Sequence, residues 1–164
     1  MHWLLLAIIL VIFCFGFVLL FGAPYVPTLS TQAKVALDMI DLKPSETLLE
    51  LGCGDGKILL AAARRGWNVV GVELNPILVA VCYVRTWRYR KQVRVIWGNL
   101  WRSEKWPASD GIFVFILQKH MQKLDNLIAH WEHRPVKLVS FAFTVPGKKP
   151  VRQDKRGVYL YQYK

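Results

Sequence analysis

The sequence predicts an α/β domain, a largely parallel sheet with helices on both faces, carried behind one transmembrane helix. Three observations predict it. Short apolar runs alternate with helical stretches from Thr47 onward. The inner runs are apolar throughout, which is the pattern of parallel strands covered on both faces. Finally, the first 33 residues carry no charge, while the remainder holds all 22 Lys+Arg, all 11 Asp+Glu and the whole net charge of +11.

Composition bounds what the chain can be. Its 164 residues suffice for about one domain. At 54% hydrophobic, with Gly 11 and Pro 8, it is neither disordered nor collagen-like. Three cysteines, Cys14, Cys53 and Cys82, form no CxxC pair, which excludes a disulfide-stapled scaffold.

Trp3 to Phe21 has no charge and no proline. As a helix it spans roughly 28 Å, matching a hydrocarbon core of about 30 Å. A cleaved signal peptide wants a basic leader and an apolar stretch of about 7–15 residues. Only Met1 and His2 precede this run, so residues 1–21 read as a retained anchor. All basic residues lie downstream. The positive-inside rule therefore puts the following domain on the cytoplasmic side, or on the matrix side of a mitochondrion.

Residues 22–30 form a linker, in which Pro24 and Pro27 keep the backbone extended. Residues 31–164 form the domain. Ser30 or Thr31 caps a helix to Ile40. Thr47–Leu51 is a strand. Ile58–Arg65 is a helix stopped by Gly66. Asn68–Glu73 is a strand. Pro76 opens a helix to about Arg90. Val93–Trp97 and Ile112–Leu117 are strands, Lys119–Trp131 a helix, and Val136–Phe143 a strand. The last strand, Val158–Tyr163, follows its neighbour without a helix between, which predicts an antiparallel edge.

Chemistry concentrates in Glu50-Leu-Gly-Cys-Gly-Asp-Gly56, between a strand and a helix. Gly52, Gly54 and Gly56 allow a tight turn and close approach of a ligand to backbone. The next helix aims its N–H groups into that loop. Glu73 ends the following strand, seventeen residues past Gly56, where an acid accepts ribose hydroxyls. The nicotinamide fingerprint GxGxxG/A fails, because Lys57 or Leu59 occupies its third small position. The spacing fits ExGxGxG, the pattern of S-adenosylmethionine enzymes.

Leu49–Gly56 together with Val72-Glu-Leu-Asn-Pro76 resembles class I, seven-strand S-adenosylmethionine-dependent methyltransferases. Gly22-Ala-Pro-Tyr-Val-Pro-Thr28, Glu73-Leu-Asn-Pro76 and Gly98-Asn-Leu-Trp101 narrow this. They resemble the small membrane-anchored protein-lysine methyltransferases that act on the adenine nucleotide translocase and the ATP synthase c-subunit. The resemblance implies a Rossmann-like methyltransferase sheet and S-adenosyl-L-methionine as cofactor. It implies that Glu50, Gly52, Cys53, Gly54 and Gly56 line the methionine end, and that Glu73 and Leu74 hold the ribose side. Asn99 and Leu100 would flank the adenine, with Asn99 standing where the family often has Asp. Pro24, Tyr25 and Pro27 would close over the cofactor. Tyr25, Trp101, Phe115 and Gln118 to His120 would wall the acceptor pocket, with no general base assigned.

The remaining features have plainer readings. Cys53 reads as a small filler rather than a nucleophile. His130 and His133 lack a third ligand, so no metal is expected. Arg85, Arg88, Arg90, Lys91 and Arg94 cluster at a helix end, serving dipole compensation or docking on anionic lipid. Tyr83, Trp87 and Tyr89 interleave them as in nucleic-acid binders, which the membrane tether disfavours. Lys148, Lys149, Arg152, Lys155 and Arg156 form a second basic stretch. The expected partners are thus a membrane and a protein substrate; a lipid or small-molecule acceptor, or a non-catalytic membrane module, are the rivals. Oligomeric state is not encoded legibly.

Overall fold

The computed structural model describes residues 2–6, 8, 9, 12, 16, 30–133 and 136–164. Residues 2–6, 8, 9, 12 and 16 are helical. Among the described residues no helix is long and apolar enough to cross a membrane. Most of the 1–21 anchor and residues 22–29 of the linker lie outside the described residues. Ser30, assigned to the linker from sequence, already belongs to the first helix.

That helix, α1 (Ser30–Ile40), leads into β1 (Thr47–Leu51). There follow α2 (Lys57–Ala63), β2 (Asn68–Glu73), α3 (Pro76–Thr86), β3 (Val93–Trp97), β4 (Gly111–Val114), α4 (Gln118–Ala129), β5 (Val136–Phe141), β6 (Arg152–Asp154) and β7 (Val158–Tyr163). Asn75 caps α3 by accepting the Ile77 N–H at 2.9 Å, with Pro76 at the first helical position. The helix predicted to reach Arg90 ends at Thr86, and a 3₁₀ turn takes Trp87–Tyr89. Arg65 and Gly66 close α2's loop on Ala62 and Ala63 carbonyls, with Gly66 at φ 83°.

The seven strands run in the order β3-β2-β1-β4-β5-β7-β6. β1 to β5 are parallel, and β7 is antiparallel to both neighbours. The predicted antiparallel last strand is therefore present but is not the edge. It inserts between β5 and β6, and the short β6 forms the edge from the stretch that reads in sequence as a Pro/Lys-rich connection. Its three residues carry no buried apolar side chain, so hydrophobic periodicity could not reveal them.

One face of the sheet packs on α1, α2 and α3 through Ala36, Leu37, Ile40, Leu59, Ala62 and Cys82. The other packs on α4 through Met121, Leu124 and Ile128, joined by Trp106 and Trp131. Asp110 lies at the amino ends of the strands, where its carboxylate accepts the Thr47 N–H at 2.8 Å. Asp110 therefore stands at the end of the sheet opposite the glycine loop.

Candidate active site

Parallel strands deliver their carboxyl ends to one side, so the loops after β1, β2, β3 and β4 converge there. The glycine loop leaves β1 with three positive-φ residues, Gly52 at 81°, Gly54 at 54° and Gly56 at 77°. A side chain at Gly56 would place its Cβ 2.9 Å from the Cys82 sulfur. Loop and α3 therefore pack backbone to side chain. The Cys82 thiol donates to the Gly54 carbonyl at 3.1 Å. Behind the loop, a Cβ at Gly71 would come within 2.7 Å of both the Cys53 sulfur and Leu59 Cδ1. Glycine is required at both places to let the loop sit against β2 and α3.

Glu73 holds two loops at once. Its carboxylate accepts the Gly54 N–H at 2.9 Å and the Asn75 N–H at 2.8 Å. A carboxylate has about four acceptor positions, so capacity remains for ligand hydroxyls. Gly98 donates to the Glu73 carbonyl at 2.9 Å, which draws the β3 loop alongside. Leu100 Cδ2 stands 3.8 Å from where a Gly52 Cβ would lie. The residues predicted at positions 50–56, 73–74 and 98–100 are thus brought together by tertiary structure.

Glu50 is the unusual group. It is 4% exposed, and its Oε2 has no hydrogen-bond partner among the described residues. Burial pushes its carboxyl well above the ordinary range, reinforced by Cys82, Glu73 and Asp55. An unpartnered buried carboxylate beside a positive-φ glycine loop suits a cationic ligand group, such as the ammonium of an amino acid. The site therefore fits S-adenosylmethionine.

Asn99 lines a cleft at the end of β3. Its carbonyl oxygen turns back to accept the Trp101 N–H at 2.9 Å and so shapes the loop. This cleft of about 300 Å³ opens beside it, lined in part by Val72, Trp97, Arg102 and Trp106. Trp97 is pinned by donating to the Leu74 carbonyl at 3.0 Å. This is room for a planar ring at the ends of β2 and β3.

On the β4 side, Phe115 is half-buried and packs on Phe141, ring centroids 4.7 Å apart, and on Phe143 at 6.4 Å. Trp101 packs on His120 at 5.4 Å, and Lys123 lies 4.5 Å over its ring. Trp101 is therefore a braced wall rather than an open one. His120 is held below the ordinary imidazole value by burial first, then by Lys119 and Lys123. Gln118 is tied to the Thr144 backbone through both ends of its amide. Pro24, Tyr25 and Pro27 lie outside the described residues.

Cys53 is buried with its sulfur 3.8 Å from that of Cys82. The Cys82 interaction and burial both push its thiol up, which opposes nucleophilic use. His130 contacts the Asn126 carbonyl at 2.8 Å, and His133 packs edge-on to Trp131. Among the described residues, no group of three potential metal ligands occurs.

Sequence reasoning missed Arg85. Placed in a basic cluster, it instead reaches Asp55 of the glycine loop at 2.9 Å, opposite Lys57 at 3.3 Å. Only the packing of α3 on the loop joins positions thirty residues apart; no local spacing could have signalled it. The cluster is otherwise divided. Arg90 lies 4.9 Å over the Trp87 ring, and Arg94 is on β3.

Known proteins agree with this arrangement. The chain is 30% identical over 129 residues to an ATP synthase c-subunit lysine N-methyltransferase of Xenopus laevis, covering 77% of this chain and 56% of that protein. The chain thus spans little more than half the length of that relative. It is 27% identical over 150 residues to a protein-lysine N-methyltransferase of Saccharolobus islandicus, covering 84% of this chain and 92% of that protein. Among solved structures it resembles an RNA methyltransferase from Salinibacter ruber bound to S-adenosyl-L-homocysteine, with a TM-score of 0.74 and 26% identity over 84% of this chain and 92% of that one. A family model described as the ANTKMT methyltransferase domain matches residues 50–152, from the buried Glu50 to the first residue of β6. Glycine cradle, buried acids and sheet order all lie within or around that match, and the chain belongs to the ANTKMT methyltransferase domain family.

Proposed function

We propose that this chain transfers a methyl group from S-adenosylmethionine to the side-chain amine of a lysine in a membrane-associated protein. The observation that carries the reading is the glycine cradle closed by two buried carboxylates, Glu73 bonded to the loop and Glu50 with an unpartnered oxygen. The lysine N-methyltransferase relatives support the acceptor class. The uncharged apolar run at residues 3–21 supports a membrane-held acceptor and a single-pass anchor, with the domain on the cytoplasmic or matrix side.

The bound cofactor would supply an electrophilic methyl on a sulfonium. The protein must orient a neutral amine in line with it and exclude water, and positioning alone can supply up to about 7–11 kcal/mol. Glu50 and Glu73 fix the cofactor from opposite ends of the loop. Phe115, and separately the Trp101–His120 pair, present aromatic walls that disfavour a charged acceptor ammonium. Lys119 and Lys123 add positive potential beside His120, which favours the neutral amine. The same surroundings favour the neutral form of His120.

The test is a radiolabel assay. The full chain is incubated with labelled S-adenosylmethionine and native membranes, wild type beside Glu73→Ala, and label is followed into protein, lipid and RNA. Label in a protein band, stable to delipidation and absent with Glu73→Ala, is the expected result. Label confined to lipid or RNA overturns the lysine assignment.

A further inference from the structure

The direction of α1 decides which face of the domain meets the membrane. Lys137 near the start of β5 donates to the carbonyls of Ile40 and Asp41, at 2.9 and 3.0 Å. Ile40 also fills the space beside Gly111, the first residue of β4. The carboxyl end of α1 thus sits at the amino ends of the strands. An eleven-residue helix rises about 16 Å. α1 runs back along the sheet, so Ser30 lies toward the strands' carboxyl ends, where the glycine loop is. Eight residues, with a reach of roughly 28 Å, separate Ser30 from the apolar run.

Cations stand at both ends of the sheet, and the carboxyl-end side carries its own group. Lys57, Arg102, Lys119, Lys155 and Arg156 belong to loops or first helical turns at the carboxyl-end side, and Lys123 to the second turn of α4. Two of the acids there are engaged, while exposed Glu104 forms no ion pair among the described residues. Asp55 is paired with Lys57 and Arg85, and Asp154 with Arg156. Asp41, Glu46, Asp110 and Glu132 lie toward the other end. Two large apolar side chains project among the cations, Trp97 at 68% exposure and Leu117 at 36%. Exposed apolar side chains among cations match an interface of anionic headgroups over hydrocarbon, and the direction of α1 selects this end over the one that carries exposed Trp87.

We propose that this carboxyl-end face, tipped by Trp97 and Leu117, docks flat on an anionic bilayer, so that the acceptor lysine is taken at headgroup depth. The proposal rests on the anchored-methyltransferase reading and adds an orientation to it. It also replaces one expectation from sequence. Arg88, Arg90 and Lys91 lead into the amino end of β3, on the far side, and are not the lipid contact.

Two variants of the full chain, Lys119→Cys and Arg88→Cys, carry an environment-sensitive fluorophore at exposed positions on opposite ends. Cys53 and Cys82 are buried, Cys14 is replaced by Ser throughout, and the same chain without the added cysteine, treated identically with the fluorophore, gives the background. Each is reconstituted into vesicles of phosphatidylcholine alone or with phosphatidylglycerol. The expected result is a blue shift at position 119 in anionic vesicles, reversed by high salt, with none at position 88. Replacing Arg102 by Gln in the Lys119→Cys background should weaken the docked population about fivefold, the effect of removing one cation near an anionic surface. A shift at position 88 alone, or no difference between vesicle types, overturns the proposal. A shift at position 119 produced by RNA and not by vesicles reassigns the face to nucleic acid. Anchoring is read separately, by resistance to alkaline extraction. A chain that washes off yet still shifts at 119 refutes the anchor and leaves the docking face standing.

Discussion

Glu50 shows how a single buried carboxyl links stability to ligand binding. Its raised folded-state value means that the folded chain keeps a proton that the unfolded chain releases. Wild type should therefore lose stability relative to Glu50→Gln as pH rises from about 4, the unfolded carboxyl value, toward neutrality. Thermal unfolding of the two ligand-free proteins across that range checks the sign: the gap should widen with pH. Cofactor affinity should move the other way. Loss of a charge-assisted hydrogen bond of about 1.5–3 kcal/mol predicts roughly 10- to 100-fold weaker binding by calorimetry. Glu73→Ala differs in kind, because it strands the Gly54 and Asn75 N–H groups. Each stranded donor costs about 1–3 kcal/mol, so Glu73→Ala should lower both the unfolding temperature and cofactor binding. Both acids were legible in sequence from their spacing to the glycines. That one keeps an oxygen without a partner among the described residues while the other is bonded to the glycine loop was not, since Gly54 meets Glu73 only across the fold.

At the scale of elements, the glycine loop is shaped as much by its neighbours as by its own residues. Gly71 lies within β2, where any Cβ would collide with Cys53 and Leu59. Gly71→Ala should destabilise the protein by about 1–3 kcal/mol, as overpacked cores do, and denaturant unfolding checks this. Arg85 ties α3 to Asp55 across the loop with 30% of its own side chain exposed. A pair this accessible contributes about 0–1 kcal/mol to stability. Arg85→Ala should then leave the unfolding midpoint nearly unchanged while weakening cofactor binding several-fold, because the loop loses its brace. Equal losses in both would assign Arg85 a purely structural role. Helix ends were legible where a cap or breaker marked them, as at Asn75-Pro76 and Gly66. The end of α3 at Thr86 was not. The basic and aromatic residues that follow are compatible with a helix, and only the turn into β3 stops it.

For the whole molecule, β7 is the clearest structural dependency. It lies between β5 and β6 and buries Val158, Leu160, Tyr161 and Tyr163. At about 1.5–3 kcal/mol each, these four contribute on the order of 6–12 kcal/mol. That is comparable with a typical domain stability of about 5–15 kcal/mol. A chain ending at Val151 should therefore lose cooperative thermal unfolding by circular dichroism. The sequence by itself determined the alternation of strands and helices, the glycine cradle, and the acids at positions 50 and 73. Those signals are local, written in hydrophobic period, turn residues and short spacings. Tertiary structure alone decided that β7 is internal, that Arg85 serves the glycine loop, and that one Glu50 oxygen has no partner among the described residues. It also decided that the cations divide between two ends of the sheet. Each of these depends on which segments meet across the fold, and such meetings are set by packing of the whole chain rather than by neighbours in sequence.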